Sequence, residues 1–334
     1  MKKHVLTSLA LGLTFGLSVT TLPASFGAEV NSQKSTDSQK QSGTKFQEIR
    51  IYQGHGLVAE SLLRIVYSRN GQLILSSGSD GMAKIFTPDG KLVREFNGKP
   101  FAMHFSGTFS FDGKRFVTSG YDGIARIWDM NGKVVSELKG HSSGVTDAII
   151  LNDGGTVSSS DDGTVLFFAA NGKQINKVEE PGVSRRMDIS PDGNVIAVSQ
   201  DIGTITLLTP AGKFVRQIKT EQGRLNDLHF SPDGKYVVSA GFDGTARVFS
   251  LDGKQVDVLK VLKNGWVTGA VMNKNNLIAT VSDDGILRLW DLKANLLDSY
   301  NPNLGRLATV AFSPNGKDLT IGAYNGTFVH LQLK

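Results

Sequence analysis

The sequence predicts an all-β fold, a seven-bladed β-propeller of four-stranded antiparallel blades. The first observation is a turn glycine that recurs at intervals of about 41 residues, at positions 81, 123, 163, 203, 244, 285 and 326. Secondly, two further turn families accompany it, exemplified by SPDGK at 231–235 and LDGK at 251–254. Three turns per repeat separate four short alternating segments, and four strands per repeat of this length are typical of one propeller blade.

The two ends of the repeat region complement each other. The last copy stops at TFVHLQLK and lacks a fourth strand, whereas QEIRIYQGH at 47–55 matches the fourth strand of the second copy, KVVSELKGH at 133–141. In this alignment Ile49, Tyr52 and His55 correspond to Val135, Leu138 and His141. We therefore expect the N-terminal strand to pair in the last blade and to close the ring, which leaves no sheet edge exposed.

The N-terminus has the layout of a secretory signal peptide. Lys2 and Lys3 precede an uncharged, mostly apolar run from Val5 to Leu22, and Ser25-Phe26-Gly27 places small residues at a cleavage site. We expect cleavage after Gly27, or alternatively after Ala28, and hence a secreted or periplasmic protein; a retained membrane anchor is the alternative. The predicted organisation is a signal peptide (1–27), a flexible leader (28–45) and the propeller (46–334).

Composition excludes several classes of function. The chain of 334 residues has no cysteine, so disulfides, thiolate metal sites, cysteine nucleophiles and a lipid anchor on an N-terminal cysteine are excluded. Its formal charge of +5 includes Lys2 and Lys3. The remainder is too balanced to predict nucleic-acid binding. After signal cleavage we expect a monomer with no membrane span.

The repeat resembles the WD-repeat β-propeller family over residues 46–334. Gly-His stands at 54–55 and 140–141, and Trp-Asp at 128–129 and 290–291. An acid in the turn between the second and third strands is present in five copies as Asp80, Asp122, Asp162, Asp243 and Asp284, with Asn325 in the last. The resemblance implies that in each blade a His, a second-strand Ser or Thr, this Asp and the Trp form a buried hydrogen-bonded set.

No copy contains all four members of that set. The copy of His141 offers Ser158 and Asp162 but has Phe168 in place of Trp, and the copy of Trp128 offers Thr118 and Asp122 but no His. In the fourth copy the three positions are apolar, as Val198, Ile202 and Leu208. Because a half-satisfied buried polar set is costly, we expect the incomplete sets to be hydrated or partly exposed.

Catalytic, metal and cofactor residues are not predicted. Asp161-Asp162 and Asp283-Asp284 are paired carboxylates, but turn capping by the second Asp and solvation of the first explain them better than acid–base chemistry or a Ca²⁺ site. No two histidines have metal-ligand spacing, and no nucleophile elbow or phosphate-binding loop occurs. We therefore expect no enzyme activity.

One face of the predicted propeller carries an unusual set of loop residues. In the family, the loops before the first strand and between the second and third strands lie on one face around the channel and bind partners. The candidate partner-binding residues there are Tyr121, Asp161, Asp201, Phe242, Asp283, Tyr324, Arg185, Arg224, Trp266 and Arg306. Exposed aromatic and Arg side chains are enriched in interface hot spots. The alternative is that Arg and Asp pair with each other across neighbouring blades.

Three functions follow as hypotheses. We favour an exported scaffold that binds a protein or peptide through the loop face. The alternatives are a propeller enzyme of lactonase or hydrolase type and a carbohydrate-binding propeller, each with a site in the central channel. The enzyme requires converging acid, base or metal residues at recognisable spacing, and the carbohydrate binder requires exposed aromatics repeated from blade to blade.

Overall fold

Strands alone form the regular structure of residues 45–55, 62–97 and 104–334, which are the residues that the computed structural model describes. Within these ranges the strands form seven antiparallel sheets of four, so the predicted seven-bladed propeller is confirmed. The expected signal peptide and nearly all of the leader fall outside the described residues. No helix in the described ranges is long and apolar enough to cross a membrane.

The strands, numbered in chain order, occupy four equivalent positions in the blades. The first strands are β2 Leu62–Tyr67, β6 His104–Phe109, β10 Val145–Ile150, β14 Ser184–Ile189, β18 Leu225–Phe230, β22 Val267–Met272 and β26 Leu307–Phe312. The second strands are β3 Ile74–Gly78, β7 Arg115–Gly120, β11 Thr156–Ser160, β15 Ile196–Gln200, β19 Tyr236–Gly241, β23 Ile278–Ser282 and β27 Asp318–Ala323.

The third and fourth strands complete each blade toward the outside. The third strands are β4 Met82–Phe86, β8 Ala125–Asp129, β12 Thr164–Phe168, β16 Thr204–Leu208, β20 Thr245–Ser250, β24 Leu287–Trp290 and β28 Thr327–Leu333. The fourth strands are β5 Leu92–Asn97, β9 Val134–Leu138, β13 Gln174–Glu179, β17 Phe214–Lys219, β21 Gln255–Lys260, β25 Leu296–Tyr300 and, from the N-terminus, β1 Phe46–Gln53.

The ring closes through the N-terminal strand, as the sequence predicted. β1 pairs antiparallel with β28, with Tyr52 opposite Phe328. The Lys334 N–H donates to the Lys45 carbonyl at 2.9 Å, and the Gly54 N–H donates to the Gly326 carbonyl at 2.9 Å. First strands also contact each other from blade to blade all the way round, from β2 to β6 and finally from β26 back to β2.

The core of the described region consists of seven apolar clusters, each lying between two neighbouring blades. The cluster between the second and third blades, for example, joins Val117 and Ile127 to Val145 and Phe168. Fully burying one such side chain contributes about 1.5–3 kcal/mol. Since every blade shares its core with both neighbours, the ring is stabilised mainly at the interfaces between blades.

The repeating turn glycines have a backbone conformation that other residues avoid. All seven have φ between +76° and +84°. At Gly203, Gly244 and Gly285 an added Cβ would also lie within 2.8 Å of a carbonyl oxygen in the loop that leads to the next blade. Left-handed φ and close backbone approach both favour glycine, which is why this residue carried the repeat signal.

Candidate interaction site

Two blades contain three members of the polar set that the resemblance implied. His55 Nδ1 lies 2.9 Å from Asp80 Oδ2, and its Nε2 lies 2.8 Å from Ser76 Oγ. His141 makes the same contacts with Asp162 and Ser158, at 3.0 and 2.8 Å. Burial opposes ionisation of Asp162, but bonds from Thr164, Ser142 and His141 outweigh it and lower its pKa to about 2. The Asp162 carboxylate is therefore ionised. Both sets link the turn after the second strand to the loop that carries the histidine.

In three other blades an arginine on the third strand is the partner of the turn Asp. Arg126 donates to Asp122 at 2.6 Å and Arg288 donates to Asp284 at 2.6 Å, while Arg247 lies 3.2 Å from Asp243. The expected partial exposure holds for these three carboxylates, whose side chains are 26–29% exposed. It is wrong for the two histidine-containing sets, because the side chains of His55 and His141 are only 0% and 1% exposed. These arginines were not among the predicted residues, although their fixed spacing of four residues after the turn Asp is visible in the sequence.

The fourth blade departs from its expected apolar set. Val198 and Leu208 are buried, but Ile202 is 53% exposed at the turn. A polar group lies elsewhere in the blade: Gln200 donates to Glu180 and, at 3.0 Å, to Thr206, which donates to Glu180 at 2.8 Å. The reason is that Ile202 occupies a solvent-facing turn position, where an apolar side chain has no cluster to join.

Backbone hydrogen bonds join six of the ten loop-face candidates in three pairs and attach Asp161 and Asp201 to the loops that precede the first strands of their blades. The N–H of the residue before the turn position donates to a carbonyl at the start of the first strand in five blades. These bonds are Asp161 to Gly144, Asp201 to Val183, Phe242 to Arg224, Asp283 to Trp266 and Tyr324 to Arg306, at 3.0–3.2 Å. Arg185 joins them because its guanidinium donates to Asp161 at 3.1 Å. That contact confirms the alternative of Arg–Asp pairing across neighbouring blades for this one pair.

Five of the candidates form a continuous stack, here named the aromatic–arginine run: Arg224, Phe242, Trp266, Arg306 and Tyr324. Arg224 lies 4.8 Å above the Phe242 ring, whose centroid is 4.6 Å from that of Trp266. Arg306 bridges onward, 5.6 Å from the Trp266 ring and 4.9 Å from the Tyr324 ring. The run thus spans the loops of the fifth, sixth and seventh blades.

The exposure of the aromatics differs from expectation. Trp266 is 41% exposed and Tyr121 is 56% exposed. Phe242 and Tyr324 were expected at exposed turn tips. Both are half-buried instead, because the arginines cover their rings. Tyr121 lies in another blade and is not part of the run. Asp201 binds the loop that precedes the first strand of its blade, since its Oδ1 accepts the Val183 N–H at 3.0 Å.

A charged cluster on the first strands was missed by the sequence analysis. Arg64 donates to Asp147 at 3.2 Å, although the two residues belong to the first and third blades. His229 lies 3.4 Å from both Asp188 and Asp227. Burial alone would lower the pKa of His229, but Asp227 and Asp188 raise it to about 9. Aligning the first strands by repeat would have revealed part of this cluster, because Arg64, Asp147 and Asp227 all occupy the third position of their strands.

The carboxylates of this cluster accept hydrogen bonds from the backbone of neighbouring blades. In the part of the chain that the structure describes, no group of three or more His, Asp or Glu residues is arranged to hold a metal ion. Asp147 instead accepts the Met187 N–H at 2.9 Å, and Asp227 accepts the Ala270 N–H at 3.3 Å. Both carboxylates therefore tie one blade to the next.

Comparison with known proteins identifies the repeat. The family model for the WD domain, G-beta repeat, matches residues 46–87, 90–129, 132–168, 212–250 and 257–291, more than half of the chain. The fourth and seventh copies, in which Ile202 and Asn325 replace the turn Asp, lie outside these matches.

Several curated proteins are similar over part or all of their length. "Uncharacterized WD repeat-containing protein slr1410" of Synechocystis sp. is 53% identical over the full length of both chains. "WD repeat-containing protein slr1409" of the same organism is 34% identical over 46% of this chain and 48% of its own. Mouse "Jouberin" is 30% identical over 43% of this chain and 15% of its own. With five matched repeats and a full-length relative, the chain belongs to the WD-repeat β-propeller family.

Proposed function

We propose that this protein is an exported scaffold that binds a protein partner through the loop face around the channel. The observation that carries the proposal is the aromatic–arginine run. WD-repeat propellers commonly serve as interaction scaffolds and are typically not enzymes, which supports the same function.

The run has the chemistry of an interface hot spot. Trp and Arg dominate binding energy where they pack at the centre of an interface, and Trp266 leaves 41% of its surface exposed. Stacking on Phe242 and Tyr324 holds the two guanidinium groups in place, and each exposed cation–π contact contributes about 0.5–1 kcal/mol. Side chains that are already ordered lose little entropy when a partner binds.

The charges indicate the kind of partner. A guanidinium stacked on a ring keeps its N–H groups directed outward in its own plane, where they suit carboxylates and carbonyl oxygens. Arg306 lies beside the Trp266 ring and Arg224 lies beside the Phe242 ring that packs on Trp266, so the apolar surface is flanked by positive charge. We therefore propose a protein segment that presents acidic side chains next to an apolar one, with Asp161, Arg185, Asp201 and Asp283 flanking the contact.

The proposed location rests on the N-terminal sequence. A basic start, an uncharged apolar run and small residues before Ala28 support export to the periplasm or the medium. The N-terminal residue of the protein recovered from the extracytoplasmic fraction tests this location. Ala28 or Glu29 is expected there, and recovery only from the cytoplasm would contradict export.

A quantitative pull-down tests the binding face. Immobilised protein is exposed to the extracytoplasmic fraction as wild type, as Trp266→Ala/Arg306→Ala and as the matched control Phe214→Ala, whose aromatic ring is 66% exposed on the outer strand β17. We expect a partner that the wild type and the control retain equally and that the double variant retains at least tenfold less. Denaturation curves check that the substitutions at these sites change the free energy of unfolding by no more than about 2 kcal/mol.

Other outcomes count against the proposal. A partner retained equally by all three proteins would place the contact away from the run. If no protein is retained by the wild type, the scaffold function fails, and the channel-site alternatives, an enzyme or a carbohydrate binder, become the stronger hypotheses.

A further inference from the structure

The central channel contains a cavity of about 460 Å³ at the end opposite the loop face. All seven blades line it, through their first strands and the turns that follow. Small-molecule sites usually occupy clefts of about 300–1,000 Å³ with mostly apolar walls and a few polar groups. The wall has this composition, with Phe109, Ile149, Phe230, Val271 and Phe312 among its apolar residues.

Cations outnumber acids around this cavity. Arg64, Arg69, His229 and Lys274 line it, whereas Asp188 is its only acidic lining residue among the described residues. Asp147 and Asp227 lie behind the wall as partners of Arg64 and His229. Counting both of them still leaves an excess of positive charge, since His229 is protonated at neutral pH between its two carboxylates.

One of these cations has unused hydrogen-bonding capacity. Arg64 is 5% exposed, and its Nε has no hydrogen-bond partner among the described residues. A buried donor on a charged group that lacks an acceptor destabilises the protein, and an acceptor supplied by a ligand would remove that cost. Arg64 lies toward the middle of its strand, at the inner end of the cavity, whereas Arg69 and Phe111 form a cation–π pair at 3.8 Å near the turns.

We propose that this cavity binds a small carboxylate with an aromatic or aliphatic body. The carboxylate accepts hydrogen bonds from Arg64 and lies near His229, and the body packs against the phenylalanine and aliphatic side chains of the wall. Arg69 and Phe111 then flank the entrance. This site is separate from the loop face, so the test of the cavity does not depend on the outcome of the scaffold proposal.

Calorimetry with 2-naphthoate and its neutral isostere 2-naphthamide tests the proposal. We expect 2-naphthoate to bind the purified protein with one-to-one stoichiometry and at least tenfold more tightly than 2-naphthamide. Binding should weaken at least tenfold in Arg64→Lys and in Ala311→Phe, which fills the cavity without changing a charge. Arg94→Met, on the outer strand β5, is the matched control and should bind as the wild type does.

A second readout does not depend on any variant folding. Met272 and Ala311 line the cavity, so their methyl resonances should shift on titration with 2-naphthoate in wild-type protein, while those of loop-face residues stay in place. The proposal is overturned if 2-naphthoate at millimolar concentration, in tenfold excess over the protein, does not bind. It is also overturned if Ala311→Phe binds 2-naphthoate as tightly as the wild type does. If inorganic phosphate binds as tightly as 2-naphthoate, the part of the proposal that requires an apolar body on the ligand is wrong.

Discussion

At the scale of single residues, Thr118 and Thr280 play the same part in two blades. The indole N–H of Trp128 donates to Thr118 Oγ1 at 2.9 Å, and that of Trp290 donates to Thr280 Oγ1 at 2.9 Å. Both threonines are fully buried. In the two blades that contain Trp, the Trp–Thr hydrogen bond is the part of the implied four-membered set that is present.

Replacing either threonine with valine should destabilise the protein. Valine keeps the shape of threonine but leaves a buried indole N–H without an acceptor, which costs about 1–3 kcal/mol. Urea denaturation of Thr118→Val and Thr280→Val measures the loss. Thr87→Val is the control, because Thr87 lies in a half-buried turn where water can replace its hydroxyl as the partner of Lys91. A change below about 0.5 kcal/mol in both buried variants would mean that these bonds contribute little.

At the scale of elements, β1 determines whether the ring is closed. Its removal would expose the edge of β28 and take Tyr52 away from Phe86 and Phe328, whose ring centroids lie 5.6 and 5.1 Å from its own. Exposed edges invite pairing with other chains. A chain that begins at Gly54 should therefore melt earlier and less cooperatively than one that begins at Lys45.

The comparison of these two chains by calorimetry and size-exclusion chromatography isolates the strand. Both lack the N-terminal residues that precede the repeats, so only β1 differs. We expect the shorter chain to show a broadened or split transition and to self-associate. If both chains melt identically, the interfaces between blades suffice without closure by β1.

At the scale of the whole molecule, the charged cluster of the channel links the first strands of different blades. Arg64 and Asp147 join the first blade to the third, and His229 lies between Asp188 and Asp227 of the fourth and fifth. Because protonated His229 interacts with both carboxylates, its deprotonation at alkaline pH should lower the stability of the ring.

The direction of that dependence follows from the pKa of His229. Its folded pKa of about 9 lies above the ordinary 6.5, so protonated His229 contributes its full stabilisation below pH 6.5. This contribution is lost as pH rises through 9, by about 1–3 kcal/mol. The difference between unfolding free energies of wild type and His229→Gln should shrink from pH 6 to pH 10. A constant difference would contradict the assignment.

The loop face shows how far sequence reasoning reached at the candidate site. Repeat alignment located Phe242, Trp266 and Tyr324 at loop positions, and the structure brings them to one face. The repeat alignment did not predict that Arg224 and Arg306 cover the rings, because stacking depends on the directions of the side chains. The contact of Gln200 with Glu180 also emerged only from the structure, whereas that of Arg126 with Asp122 follows a four-residue spacing that the sequence shows.

The sequence by itself determined the number of blades, the strand order and the closure by the N-terminal strand. These follow from local chemistry, since left-handed turns demand glycine and paired strands alternate apolar and polar residues. Only the tertiary structure decided which polar groups meet across the channel. Arg64 and Asp147 are 83 positions apart in the chain, and the 460 Å³ cavity exists only where all seven blades converge. Contacts of this kind depend on the curvature of the closed ring, which no single repeat encodes.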